Sequence, residues 1–97
     1  MTDAQKMLAL ARAAMPNRQF VQQDGIVYEQ HAVGHTVFDP ANNADQFVEV
    51  LAWLVFNHAA TIGRYWVSLP VFSIEHDGTP AGLRQAVTDA AVRIAAG

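Results

Sequence analysis

Cysteine is absent from the chain, which removes disulfide bridges, thiolate metal sites and a cysteine nucleophile together and fits a reducing compartment. Charge is scarce as well. Only 15% of the residues are Asp, Glu, Lys or Arg, against about 25% in an ordinary soluble domain. The six bases (Lys6, Arg12, Arg18, Arg64, Arg84 and Arg93) stand singly, and nine acids leave a formal charge of −3. A surface that tracks phosphates needs clustered Lys and Arg, so no nucleic-acid partner is expected, and −3 is also too weak for a mimic of DNA. The longest apolar run, Val50 to Phe56, is far short of the ~20 residues that cross a bilayer. The opening Met1-Thr2-Asp3-Ala4-Gln5-Lys6 lacks the basic-then-apolar order of a signal peptide. A cytoplasmic protein without a membrane partner is the expectation.

What the chain does have is apolar surface. Hydrophobic residues make up 52% of its 97 residues, room for a single domain, residues 1–97, with one core. Few charges on a small domain leave apolar patches exposed, and such patches become contacts with other chains.

The local signals predict three helices and several short strands. Thr2 and Gln5 form a capping-box pair, and Ala4, Met7, Leu8, Ala11, Ala14 and Met15 share one helical face; Pro16 ends that helix near Ala14. Asp24-Gly25 between two β-prone runs predicts a two-residue hairpin turn, and Thr36-Val37-Phe38 a third extended piece. Asn43 reads as an N-cap, with Asp45 and Gln46 in the first turn of a helix over about 43–58. Arg64–Leu69 and Phe72–Glu75 read as strands whose apolar phase shifts by one residue across Pro70, which predicts a bulge or a strand break there. Thr79 caps a last helix over about 79–95 with Pro80 in its first position. Its inward face is Leu83, Ala86, Val87, Ala90 and Ile94, and Asp89 and Arg93 pair on the other side. The predicted class is α+β, three helices packed on a small, mainly antiparallel sheet in the order α-β-β-(β)-α-β-(β)-α.

No pattern carries recognisable chemistry. His31 and His35 have the spacing of a helical metal pair, but Gly34 and its Val and Thr neighbours make the segment extended, where i and i+4 lie about 13 Å apart; no metal ligand set is expected. His58 falls on the side of Phe47, Leu51 and Leu54 as a core-edge histidine. His76 stands between Glu75 and Asp77 at a strand end, where such clusters are usually solvated. Asp24, Asp39 and Asp77 each precede Gly or Pro, which turn chemistry explains. Ser68 and Ser73, the only serines, sit in no nucleophile elbow, and no glycine loop cradles phosphate. Neither enzymatic activity nor a cofactor is expected.

The central helix is the informative element. Around a helical wheel centred on Glu49, the core side holds Phe47, Val48, Leu51, Leu54 and Val55. Asp45, Gln46, Glu49 and Asn57 are expected in the solvent sector, and Trp53 and Phe56 fall in that same sector. A helix that is apolar nearly all round is either covered on both sides or exposes aromatics to a partner. Strands or the N-terminal helix could cover these rings; alternatively Trp53, Phe56 and Glu49 form a protein interface, for self-association or another protein.

Phe38-Asp39-Pro40, the helix carrying Val50, Leu51, Trp53 and Leu54, the strand Tyr65-Trp66-Val67-Ser68 and the alanine-rich helix Leu83–Ala96 resemble the phage ABA sandwich domain, a group of small bacteriophage and prophage proteins. Leu8–Ala14 matches the opening of such proteins loosely. The likeness spans about two thirds of the chain and leaves out the hairpin at Asp24-Gly25. It implies helices flanking a sheet in an accessory phage or prophage protein, and no functional residue transfers, because the group has no assigned activity. The expected function is protein–protein contact, as a homodimer or as an inhibitor of a host factor. The alternative is a small hydrolase or ligand-binding domain with His58 or His76 in a pocket.

Overall fold

The computed structural model describes residues 1–97. Helix α1 spans Asp3–Ala14, and its capping box closes as the sequence predicts: the Thr2 hydroxyl accepts from the Gln5 N–H while the Gln5 side chain accepts from the Thr2 N–H. Strands β1 (Gln19–Gln23) and β2 (Ile26–Gln30) pair antiparallel. Asp24 at φ +53° and Gly25 at φ +77° between them give both central residues of the tight turn the positive φ it requires. Strand β3 (His35–Val37) completes a sheet in the order β1-β2-β3.

Helix α2 (Ala44–His58) is capped by the Asn43 side chain. Its C-cap is Ala59 in the left-handed region at φ +57°, where glycine is the usual occupant. Strands β4 (Thr61–Ile62), β5 (Trp66–Ser68) and β6 (Ser73–Glu75) then form a second antiparallel sheet. Pro70 marks the predicted break: Ser68 pairs with Ser73, and the Leu69 N–H donates to the Phe72 carbonyl across the turn. Helix α3 (Pro80–Ala96) starts with Thr79 as N-cap and Pro80 in its first turn.

The class is α+β with antiparallel pairing throughout, and the six strands divide between two three-stranded sheets. α1 packs on α3 and on β1, α3 packs on β5 and β6, and α2 packs on α3 and more lightly on α1. The pleat of the first sheet turns Phe20, Val27 and Glu29 inward and Val21, Tyr28 and Val37 outward. One contiguous cluster of buried side chains joins all layers through Leu10, Phe20, Leu54, Val67 and Val87. The radius of gyration, 13.0 Å, lies close to the about 12.5 Å of a compact chain this long.

The one small sheet expected from the sequence is thus two, and three details of α1 and α3 also differ from the sequence reading. On α1 the inward face turns toward Leu10, which is fully buried with Ala11, while Met7, Leu8 and Ala14 are partly covered. On α3, Ala91 and Thr88 join the buried face. Asp89 accepts from Gln85 instead of pairing with Arg93, and the Arg93 guanidinium lies 4.6 Å from the Phe72 ring. Turning toward that ring covers apolar surface with the guanidinium plane, which an exposed ion pair would not do.

Candidate functional site

The orientation of α2 decides what the protein presents outward. The buried positions are Gln46, Val50 and Leu54, one row at i, i+4 and i+8, rotated by about 100° from the core face expected on the wheel. Val48, expected in the core, is 62% exposed, whereas Gln46, expected in solvent, is 1% exposed. Gln46 holds the helix in this rotation. Its Oε1 accepts from the Asp39 N–H at 2.6 Å and its Nε2 donates to the Val37 carbonyl at 3.0 Å. Two backbone groups of the β3–α2 connection are thereby satisfied by a side chain from the next helix. Leaving them buried and unpaired costs more than burying the amide that pairs them.

With Gln46 inward, the row Val48, Ala52 and Phe56 turns outward as an apolar stripe about 12 Å long. Phe56 is 82% exposed. Trp53 is half-buried, its ring edge-on to the His58 imidazole at 4.5 Å between centroids. The two aromatics therefore part company: Trp53 is partly covered and Phe56 is free.

Trp53, Phe56 and Glu49 line one shallow groove of about 350 Å³. Its opposite wall is the end of α1 and the following turn, where Ala13, Ala14 and Pro16 present only small apolar groups. Glu49 is tied at its rim by Arg18, whose Nη2 lies 3.6 Å from Oε1, while Nη1 of the same guanidinium reaches the buried Glu29 carboxylate at 3.3 Å. Arg18 thus links the α1–β1 turn to both β2 and α2. On its far side Phe56 borders a second hollow with Val55, Pro70 and Val71, and Val71 is also 82% exposed. The apolar surface is continuous from Val48 through Phe56 to Val71. Val48 and Val71 were not legible as parts of it, because their exposure follows from the rotation of α2 and the position of the β5–β6 turn.

The histidines fall into separate environments. His58 borders the hollow with Val55, Pro70 and Val71, which holds no carboxylate. The Nδ1 of His76 accepts from the Gly78 N–H and its Nε2 faces the Gly63 carbonyl at 3.2 Å, so one ring nitrogen serves the β6–α3 turn and the other faces the β4–β5 turn. Beside it, the Thr79 hydroxyl and N–H both donate to Asp77, holding that carboxyl below its ordinary value. His31 and His35 do not lie on an extended segment: the chain reverses between them, the His31 N–H donating to the Gly34 carbonyl. His31 Nε2 is 2.9 Å from the Thr36 hydroxyl and its Nδ1 is 3.8 Å from Glu29, the latter beyond hydrogen-bond reach. His35 packs edge-on to Tyr28 at 4.7 Å. No three His, Asp or Glu side chains are grouped to hold a metal ion, and no helix is long and apolar enough to cross a membrane.

Comparisons with protein-family models, curated proteins and solved structures found no match to this chain.

Proposed function

We propose that this is an accessory protein acting by protein–protein contact, that its binding surface is the α2 face around Phe56, and that the first occupant to test is a second copy of the chain. The observation that carries the reading is the 82% exposure of Phe56 beside a groove walled by alanines and proline. A large ring in water next to a hollow of small apolar side chains is a knob beside a hole. Two copies related by a twofold axis can each place Phe56 in the groove of the other, the self-complementary arrangement a symmetric dimer requires. The low charge of the chain means that little desolvation opposes such contact. Assignment to a phage or prophage rests on the sequence resemblance, and inhibition of a host factor through the same face is the heteromeric form of the proposal.

The hydrolase or pocket reading has less support. His58 shares its hollow with apolar groups and no carboxylate, and His76 is occupied by backbone partners.

Phe56 separates interface from core cleanly. At 82% exposure it contributes little to the fold, so Phe56→Ala should change stability by less than about 0.5 kcal/mol. At a hot spot the same substitution costs about 2–4 kcal/mol, thirtyfold or more in affinity. Light scattering across a concentration series, with thermal melting alongside, reads both quantities. A concentration-dependent dimer lost in Phe56→Ala at unchanged melting temperature is the expected result. A wild-type chain that stays monomeric throughout the series removes the second copy as occupant.

A further inference from the structure

The outward face of the first sheet carries a second hollow that the protein-contact surface does not use. Strand register places Gln19, Gln30 and His35 in one row across β1, β2 and β3, Val21, Tyr28 and Val37 in the next but one, and Gln23 beside Ile26 at the far end. Of these, Gln19, Val21, Gln23, Tyr28, Gln30 and His35, together with His31 and the turn that follows it, shape a concavity of about 550 Å³, within the usual range for small-ligand sites.

Three properties set this face apart from an ordinary solvated sheet. No carboxylate, ammonium or guanidinium lines it, whereas the hollow of similar size between α1 and α3 holds Asp3, Asp39, Asp89, Lys6 and Arg93. The amides of Gln19, Gln23 and Gln30, like that of Gln22 outside the hollow, have no hydrogen-bond partner within the protein, while those of Gln5, Gln46 and Gln85 do; here three such free amides converge on one hollow. Between the amide-bearing ends runs an apolar strip in which Tyr28 is steadied edge-on by His35.

We propose that this concavity binds a short neutral oligosaccharide. A pyranose presents an apolar C–H face and a rim of hydroxyls that both donate and accept. The strip through Val21 and Tyr28 offers the apolar contact, and each Gln amide offers one donor and one acceptor group to the rim. The run from Gln19 to Gln23 covers about 13 Å of strand, which suits a chain of sugar units over a single one. With the His31 and His35 imidazoles uncharged, an ionic ligand would lose its hydration here without meeting a counter-charge, so the lining then selects against phosphates, acidic sugars and charged peptides.

The test uses the whole chain, labelled with nitrogen-15, and three probes: maltotriose, cellotriose and chitotriose. At least one should shift the side-chain amide signals of Gln19, Gln23 and Gln30 with a dissociation constant of about 1 mM, the weak range expected of an open site. Raising the salt should leave that constant unchanged, since no ion pair is involved. Gln30→Ala, on an exposed side chain, should abolish the shifts while the backbone spectrum stays folded, and Phe56→Ala should leave them intact, which separates this site from the protein-contact surface. Absence of shifts with all three probes at about 20 mM, twentyfold above the expected constant, overturns the proposal. So do shifts that map elsewhere, that weaken with salt, or that persist in Gln30→Ala.

Discussion

Replacing Gln46 tests the reasoning about α2 most directly. Its amide satisfies the Asp39 N–H and the Val37 carbonyl, and it is 1% exposed. Gln46→Leu keeps most of the side-chain volume and removes both hydrogen bonds. Each abandoned backbone group costs about 1–3 kcal/mol when buried; with water gaining access from the half-buried Asp39 side, a total of about 2–4 kcal/mol is expected. For a domain this size a loss of 1 kcal/mol moves the melting temperature by about 4–8 °C, so the drop should exceed about 8 °C. It should be the same at every pH, because neither partner titrates. Gln46→Glu has a different signature. One carboxylate oxygen can still accept from Asp39, but the other is pressed against the Val37 carbonyl, and burial further penalises the ionised form. The carboxyl is thus raised above its unfolded value. Its stabilising contribution is fully present below the unfolded value and is lost as pH rises through the folded one. Measured relative to wild type by calorimetry, Gln46→Glu should approach wild type near pH 4 and fall well below it at pH 7. Refutation would be a Gln46→Leu protein within about 0.5 kcal/mol of wild type, or a Gln46→Glu penalty that is flat with pH; either result would mean that this amide does not orient the helix.

Two further substitutions probe the local devices. Asp77 is held below its ordinary value by two Thr79 donors, so its contribution is present above pH 3.8 and lost as pH falls through the lowered folded value. Asp77→Ala should therefore lower the melting temperature at pH 7, and the difference from wild type should shrink as acid protonates the carboxylate. Ala59 sits at φ +57° on an exposed C-cap, a conformation that costs a non-glycine residue about 1–2 kcal/mol. After the greater flexibility of glycine in the unfolded chain is offset, Ala59→Gly should raise stability by about 0.5–1 kcal/mol in urea denaturation; a loss of stability would show that the Ala59 methyl group packs against the turn.

Much of the secondary structure is legible because its causes lie within four residues. Thr2 with Gln5, Asn43, and Thr79 with Pro80 each satisfy or omit the free N–H groups of the turn beside them. Asp24-Gly25 needs no neighbour to adopt positive φ, and Pro70 breaks the phase of its own strand. Those choices belong to the sequence alone. The rotation of α2 does not. With Val48, Val50, Leu51, Trp53, Leu54, Val55 and Phe56 spread around the wheel, no face is favoured strongly enough for periodicity to choose one. The choice comes from a polar residue meeting two backbone groups nine and seven positions earlier in the chain, and from α1 and α3 packing against the face so turned. The same long-range decision leaves Phe56 in water, half-covers Trp53 and brings Val71 beside them. It also explains why a glutamine, read locally as a first-turn surface residue, stands in the core. Separation of the strands into two sheets is likewise tertiary, since α2 intervenes between β3 and β4 and no local signal reports which strand edges will meet. Hydrogen bonds and packing between distant segments therefore select the exposed surface from a helix whose sequence permits several.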